Sequence, residues 1–232
     1  MDMKLYAVFN RAFLNNENFQ RLLRLVSQRK KERIFRYRRP ADAQRTLLGD
    51  MLIRFAVSAE TGTAMDRIDI SEEEGGKPFL SFPSGLYFNL SHSGRWIVCV
   101  TDRTPVGVDI EKENGITSEA MRESLSSREW MTLAGEEECV RRHCFYRLWT
   151  QKECYAKAQG EGLRLPFQSL EMRETTGGYI SPVLDGRPVL DFYLKSFEHI
   201  KGYALAACGM RACFPEEINV LDIKEICSRG QM

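Results

Sequence analysis

Long apolar runs are missing from this 232-residue chain, and so is an excess of charge: 33 Lys and Arg stand against 32 Asp and Glu, a net of +1. The first absence argues against a membrane-spanning helix, which needs about 20 consecutive apolar residues. The second argues against wholesale binding to nucleic acid or to an anionic membrane surface. The N-terminal MDMKLYAVFN lacks a basic stretch followed by an apolar core and a cleavage site, so a cytoplasmic protein is expected. The seven cysteines contain no C-x-x-C pair, which fits reduced thiols better than a disulfide framework. Cys139, His143 and Cys144 lie close enough in sequence to suggest zinc, yet no second ligand pair follows at zinc-site spacing, and no metal is assigned there.

What is present suffices for a packed core, with 43% of residues apolar. Phe19, Leu22, Leu23 and Val26 recur at helical spacing, predicting a helix over residues 17–39 that turns strongly basic before Pro40. Leu47, Leu48, Met51, Leu52 and Phe55 predict a second helix over 41–59, closed by Thr61-Gly62. Strands are expected at 68–71, 86–90, 96–101 and 106–111, separated by Gly75-Gly76, Ser93-Gly94 and Thr104-Pro105. Helices are expected again over 118–133 and 136–159, then strands near Gln168, Tyr179, Val189 and Tyr203. The order occurs twice, so the expected fold class is α+β, with two similar halves at 1–104 and 105–232 and a ligand cleft between them.

Four constellations carry chemistry. On a strand, Gly107-Val108-Asp109-Ile110-Glu111 puts Val108 and Ile110 on one face and both acids on the other, about 7 Å apart along the chain. Two carboxylates so placed can converge on a hard cation such as magnesium, although solvated acids on a half-exposed strand have the same spacing. On a helix, Trp149, Glu153 and Lys157 share a face. A Glu–Lys pair four residues apart is ordinarily a surface ion pair, but the tryptophan indicates partial burial, where such a pair is expensive. Phe88 to Trp96 reads as a strand end followed by a small polar turn, in which Ser91 and His92 can meet phosphate oxygens. Finally, Arg29, Lys30, Lys31, Arg33, Arg36, Arg38, Arg39 and Arg45 crowd the first half, with Lys77 following Gly75-Gly76. This local excess within a neutral total suits a small polyphosphate better than a long nucleic acid.

In order and at similar spacing, the blocks ADAQRTLLGD, GGKPF, FNLSHSGRW, PVGVDIEKE and LWTQKECYAKAQGEGL resemble the surfactin-type (Sfp-type) 4′-phosphopantetheinyl transferases, from about Arg29 to Phe214. The last two correspond to that family's G-x-D and W-x-x-K-E-x-x-x-K signatures. The resemblance implies a monomer whose two α+β halves, related by a pseudo-twofold axis, clamp coenzyme A. It further implies that Asp109, Glu111 and Glu153 hold Mg²⁺ on the pyrophosphate. Lys30, Arg33, Arg45 and Thr46 are expected at the adenosine end and its 3′-phosphate, with Lys77, Ser91, His92 and Lys157 at the phosphates. The implied reaction transfers the phosphopantetheine arm to a serine of an apo acyl- or peptidyl-carrier protein, with Glu153 as general base and Lys157 and His92 as catalytic partners. Cys154 departs from the family's usual alanine or serine and is expected to put a thiol beside Glu153. Residues 116–133 are the expected carrier-docking segment. A magnesium-dependent phosphohydrolase could use the same acids and cations with water as nucleophile. A noncatalytic coenzyme A or nucleic-acid binding module would have no need of the three carboxylates.

Overall fold

The structure is a computed structural model that describes residues 2–73, 75–160 and 165–229. It divides into two compact units, Met3–Arg103 together with residues 215–229, and Thr104–Phe214. The sequence assigned everything after 104 to one half. The structure instead returns the C-terminal segment to the first unit, because β12 (Asn219–Leu221) pairs in parallel with β1 (Lys4–Phe9), and α7 (Ile223–Arg229) packs on α3 (Pro40–Thr61).

In the first unit the sheet order is β12-β1-β5-β4, with β4 at Tyr87–Ser93 and β5 at Trp96–Asp102. Leu5, Ala7 and Val8 of β1 and Ile97 to Val100 of β5 are fully buried, the pattern of a strand covered on both faces. The 22-residue α3 lies on this sheet. Pro40 sits in its first turn, where a missing N–H costs nothing, and Gly62 ends it in the left-handed conformation at φ 71°. The single basic helix expected over 17–39 is two helices, α1 (Asn16–Leu23) and α2 (Gln28–Arg36). Asn15 and Ser27 cap them by accepting the amides of Asn18 and Lys30. A separate hairpin joins β2 (Asp69–Glu72) to β3 (Pro78–Phe82).

The second unit opens with β6 (Val106–Lys112), continues through α4 (Ser118–Ser124) and α5 (Ser127–Leu133), and reaches the 22-residue α6 (Glu138–Gln159). Its sheet runs β6-β11-β10-β8-β7, where β7 is Leu170–Glu174, β8 Ile180–Leu184, β10 Tyr193–Ser196 and β11 Tyr203–Gly209, and the two-residue β9 (Arg187–Pro188) pairs with β8. The one helix expected over 118–133 breaks where Ser126 and Glu129 form a reciprocal capping box. Both units share a plan: the first strand pairs with the last long strand, its hairpin partner comes next, and a 22-residue helix lies on them. Among the described residues no helix is long and apolar enough to cross a membrane.

Candidate active site

One glycine sets the distance between β6 and α6. A Cβ built on Gly107 would lie 1.9 Å from the Cys154 carbonyl oxygen and 2.8 Å from the Ala158 amide nitrogen, both backbone atoms that cannot swing aside. The strand therefore runs directly against the helix, and side chains two residues along β6 come within reach of the exposed turn of α6. We expect Gly107→Ala to lower stability by at least about 3 kcal/mol, read as a falling urea midpoint, because overpacking against backbone has no cheap relief.

Lys157 Nζ donates to Asp109 Oδ1 at 2.6 Å and to the Val108 carbonyl at 3.3 Å. Asp109 is 3% exposed, and its carboxylate is registered on β6 opposite Ala206 of β11. Burial first, and then the charges of Asp109 and Glu111 against the opposing pull of Lys157, raise the Glu153 carboxyl to about 6. The three acids singled out in the sequence thus share one electrostatic neighbourhood with Lys157. The helical stripe is as expected at its other end: Trp149 stacks on Phe145 at 6.1 Å between centroids and meets Phe167 edge-on at 5.3 Å.

Among the described residues, no three His, Cys, Asp or Glu side chains are gathered tightly enough to hold a metal ion by themselves. Magnesium completes its shell with water and substrate phosphate oxygens, so Asp109, Glu111 and Glu153 need not close on an ion without them. An all-oxygen set of mutually repelling carboxylates fits such an ion.

Two residues beside the site were not singled out by sequence patterning. Lys152 is 0% exposed, and its Nζ donates to Glu129 Oε2 at 2.6 Å and to the Phe167 carbonyl at 2.7 Å. Burial lowers its pKa, and Glu129 opposes that shift. Glu129 in turn accepts the Ser126 amide at 2.9 Å and the Met172 amide at 3.1 Å, so this buried pair ties α6 to the start of α5 and to β7. The signal was available in Ser126-x-x-Glu129, which reads as a capping box. Cys154 is 0% exposed, and its thiol bonds Cys208 while lying within reach of the charges of Asp109 and Lys157. Burial, reinforced by Cys208, holds its thiol well above the ordinary range.

In the first unit, the residues expected at an adenosine end are linked. Arg33 Nε donates to the Tyr37 hydroxyl at 3.3 Å, and Tyr37 also bonds Thr46, the largest cause of its lowered pKa. Arg45 Nη2 bonds Asp42 Oδ1 one turn away on α3. Lys30 Nζ lies 3.6 Å from Glu72 Oε1, and Arg33 Nη1 lies 3.9 Å from the same oxygen. Ser91 and His92 do not form a turn. They are strand residues of β4, paired with Val98 and Ile97, and only Gly94-Arg95 make the bend. Ser91 is 7% exposed and His92 is exposed, as alternation along a strand requires. Lys77 follows the Gly75-Gly76 turn, where its carbonyl accepts the Glu73 amide at 2.9 Å. Residues 161–163, the end of the last signature block, lie outside the described residues.

Comparison with known proteins agrees with this arrangement. A family model described as the 4′-phosphopantetheinyl transferase superfamily matches residues 105–208, and one described as 4′-phosphopantetheinyl transferase, N-terminal, matches residues 15–104. The chain is 34% identical over 224 residues to the 4′-phosphopantetheinyl transferase Sfp of Bacillus subtilis (strain 168), covering 97% of this chain and 100% of that protein. It is 31% identical to the 4′-phosphopantetheinyl transferase gsp of Aneurinibacillus migulanus, covering 88% and 84% of the two chains. A mouse (Mus musculus) L-aminoadipate-semialdehyde dehydrogenase-phosphopantetheinyl transferase is 31% identical over 64% of this chain and 53% of its own. The chain belongs to the 4′-phosphopantetheinyl transferase superfamily and is an enzyme of that type.

Proposed function

We propose that the enzyme transfers the 4′-phosphopantetheine arm of coenzyme A to a serine of an apo acyl- or peptidyl-carrier protein, releasing 3′,5′-ADP. The observation that carries this reading is the group formed by Asp109, Glu111, Glu153 and Lys157, in which a partly buried carboxylate is raised toward neutrality beside a lysine already aligned by Asp109. A serine hydroxyl is a weak nucleophile at neutral pH and needs a positioned base. Glu153, with its pKa shifted toward the working range, takes that proton as the serine oxygen attacks the β-phosphorus. The bond from that phosphorus to the bridging oxygen breaks, and Lys157 stabilises the charge left on the departing 3′,5′-ADP. Magnesium, held by Asp109, Glu111 and Glu153, would neutralise charge on the diphosphate.

Lys77, Ser91 and His92 are assigned to the phosphates with Lys157. Lys30, Arg33, Arg45 and Thr46 are assigned to the adenosine end and its 3′-phosphate, supported by the linkage of Arg33 to Thr46 through Tyr37 and to Lys30 through Glu72. Carrier docking is assigned to α4 and α5, where a groove of about 590 Å³ is lined by Arg122, Leu125, Trp130 and the 71%-exposed Met131. We place the enzyme in the cytoplasm as a monomer.

Intact-mass analysis of apo acyl- and peptidyl-carrier proteins after incubation with coenzyme A and magnesium tests the proposal directly. A phosphopantetheine mass should appear on at least one carrier and vanish when a chelator is added. Release of 3′,5′-ADP without any mass gain on a carrier would mean that water is the acceptor and would overturn the transferase reading.

A further inference from the structure

Glu72, the last residue of β2, faces a turn and more of α2. Its carboxylate lies 3.2 Å from Arg29 Nη2, 3.6 Å from Lys30 Nζ and 3.9 Å from Arg33 Nη1. The Glu72 and Lys30 side chains are only 16% and 17% exposed, whereas Arg29 and Arg33 reach them from the solvent side at 80% and 60%. With Arg36 these residues line a concavity of about 640 Å³. Glu32 and Asp69 also border it, but both are exposed; Glu72 is the acid turned inward.

Three cations converge here on a single carboxylate, and over the whole lining the four cations Arg29, Lys30, Arg33 and Arg36 face the three acids Glu32, Asp69 and Glu72, a surplus of one positive charge. Ion pairs bordering solvent add little stability, so folding does not account for the convergence. A concave surface with surplus cations attracts a dianion, and guanidinium and ammonium groups suit phosphate oxygens. We propose that Glu72 is a built-in counter-ion that occupies the seat of the terminal 3′-phosphate of coenzyme A and limits how tightly that phosphate is held. The inference rests on the assignment of Lys30 and Arg33 to the 3′-phosphate and deepens it. An arriving phosphomonoester must displace the carboxylate or share its cations with it. The like charge therefore weakens ligands that carry the 3′-phosphate and leaves those lacking it unaffected. It also keeps Lys30 and Arg33 gathered before the ligand arrives.

The test measures affinities of coenzyme A and 3′-dephospho-coenzyme A by calorimetry for the unmodified enzyme, Glu72→Gln, and the double variant Lys30→Ala/Arg33→Ala. Glu72→Gln should tighten coenzyme A about three- to tenfold, leave the dephospho ligand unchanged, and steepen the salt dependence for coenzyme A alone. The double variant should erase most of the preference for coenzyme A over its dephospho form. If the double variant leaves that preference intact, the 3′-phosphate assignment fails and this inference fails with it. If the double variant erases the preference but Glu72→Gln leaves coenzyme A affinity unchanged or weaker, the assignment stands and only the counter-ion role is overturned.

Discussion

Glu153→Gln should slow transfer to a carrier protein about 10²- to 10⁴-fold, the range a positioned general base supplies, while making the ligand-free enzyme more stable. The two effects have opposite signs because one carboxylate serves chemistry at the expense of folding. Burial and the neighbouring charges of Asp109 and Glu111 push the Glu153 pKa up to about 6, so ionising it in the folded state is unfavourable. The penalty is absent below the unfolded carboxylate range, develops as pH rises toward 6, and is complete above it. Glutamine carries no such penalty. Thermal unfolding in the presence of a chelator should therefore show the two proteins matched near pH 4, with the variant about 2–4 °C higher near pH 7.5, which corresponds to about 1 kcal/mol after discounting for the group's partial exposure. A variant that loses both activity and stability at pH 7.5 would mean that Glu153 is a structural residue, and the assignment of the base would fall.

Lys152→Met has the larger expected effect on folding. The methionine fills the same volume but strands Glu129 in a buried position with its charge uncompensated. Breaking a buried pair from one side ordinarily costs about 3–5 kcal/mol, about 10 °C in unfolding temperature for a chain of this size. A neutral amide has one acceptor oxygen, so adding Glu129→Gln removes the stranded charge but keeps only one of the hydrogen bonds from the Ser126 and Met172 amides, and should restore part of the loss. If the single variant unfolds at the same temperature as the unmodified protein, or the double variant recovers nothing, the pair is not holding α5, α6 and β7 together.

The sequence was most informative where periodicity and packing agree. Leu47, Leu48, Met51, Leu52 and Phe55 announced α3 because each of them meets the sheet or its neighbouring helices. The alternation in Val108-Asp109-Ile110-Glu111 located β6, and helical spacing alone placed Trp149, Glu153 and Lys157 on one face. Helix breaks were harder to see, since the apolar periodicity runs on across Ser27 and Ser126 and only the capping chemistry stops it. Strand β1 was passed over because a six-residue run buried on both sides shows no alternation. Ser91 and His92 looked like a turn because small polar residues are typical of turns, yet pairing with β5 carries them to the end of the strand. No spacing rule announces that Gly107 must lack a side chain, since the reason is a helix backbone about fifty residues later in the chain. The Glu72 cluster is equally nonlocal: a basic helix and an acidic hairpin are separately unremarkable and acquire meaning only when β2 lies beside α2.

The parallel pairing of β12 with β1 inverts the order of synthesis and the order of completion. The ribosome releases residues 104–214 as one uninterrupted stretch that already contains every strand of its sheet. Residues 3–103 emerge earlier but must wait for residues 215–229 before the edge strand β12 and the helix α7 that packs on α3 exist. The unit that emerges first is thus finished last, and a premature stop just before residue 215 falls on it rather than on the stretch synthesised immediately before the stop.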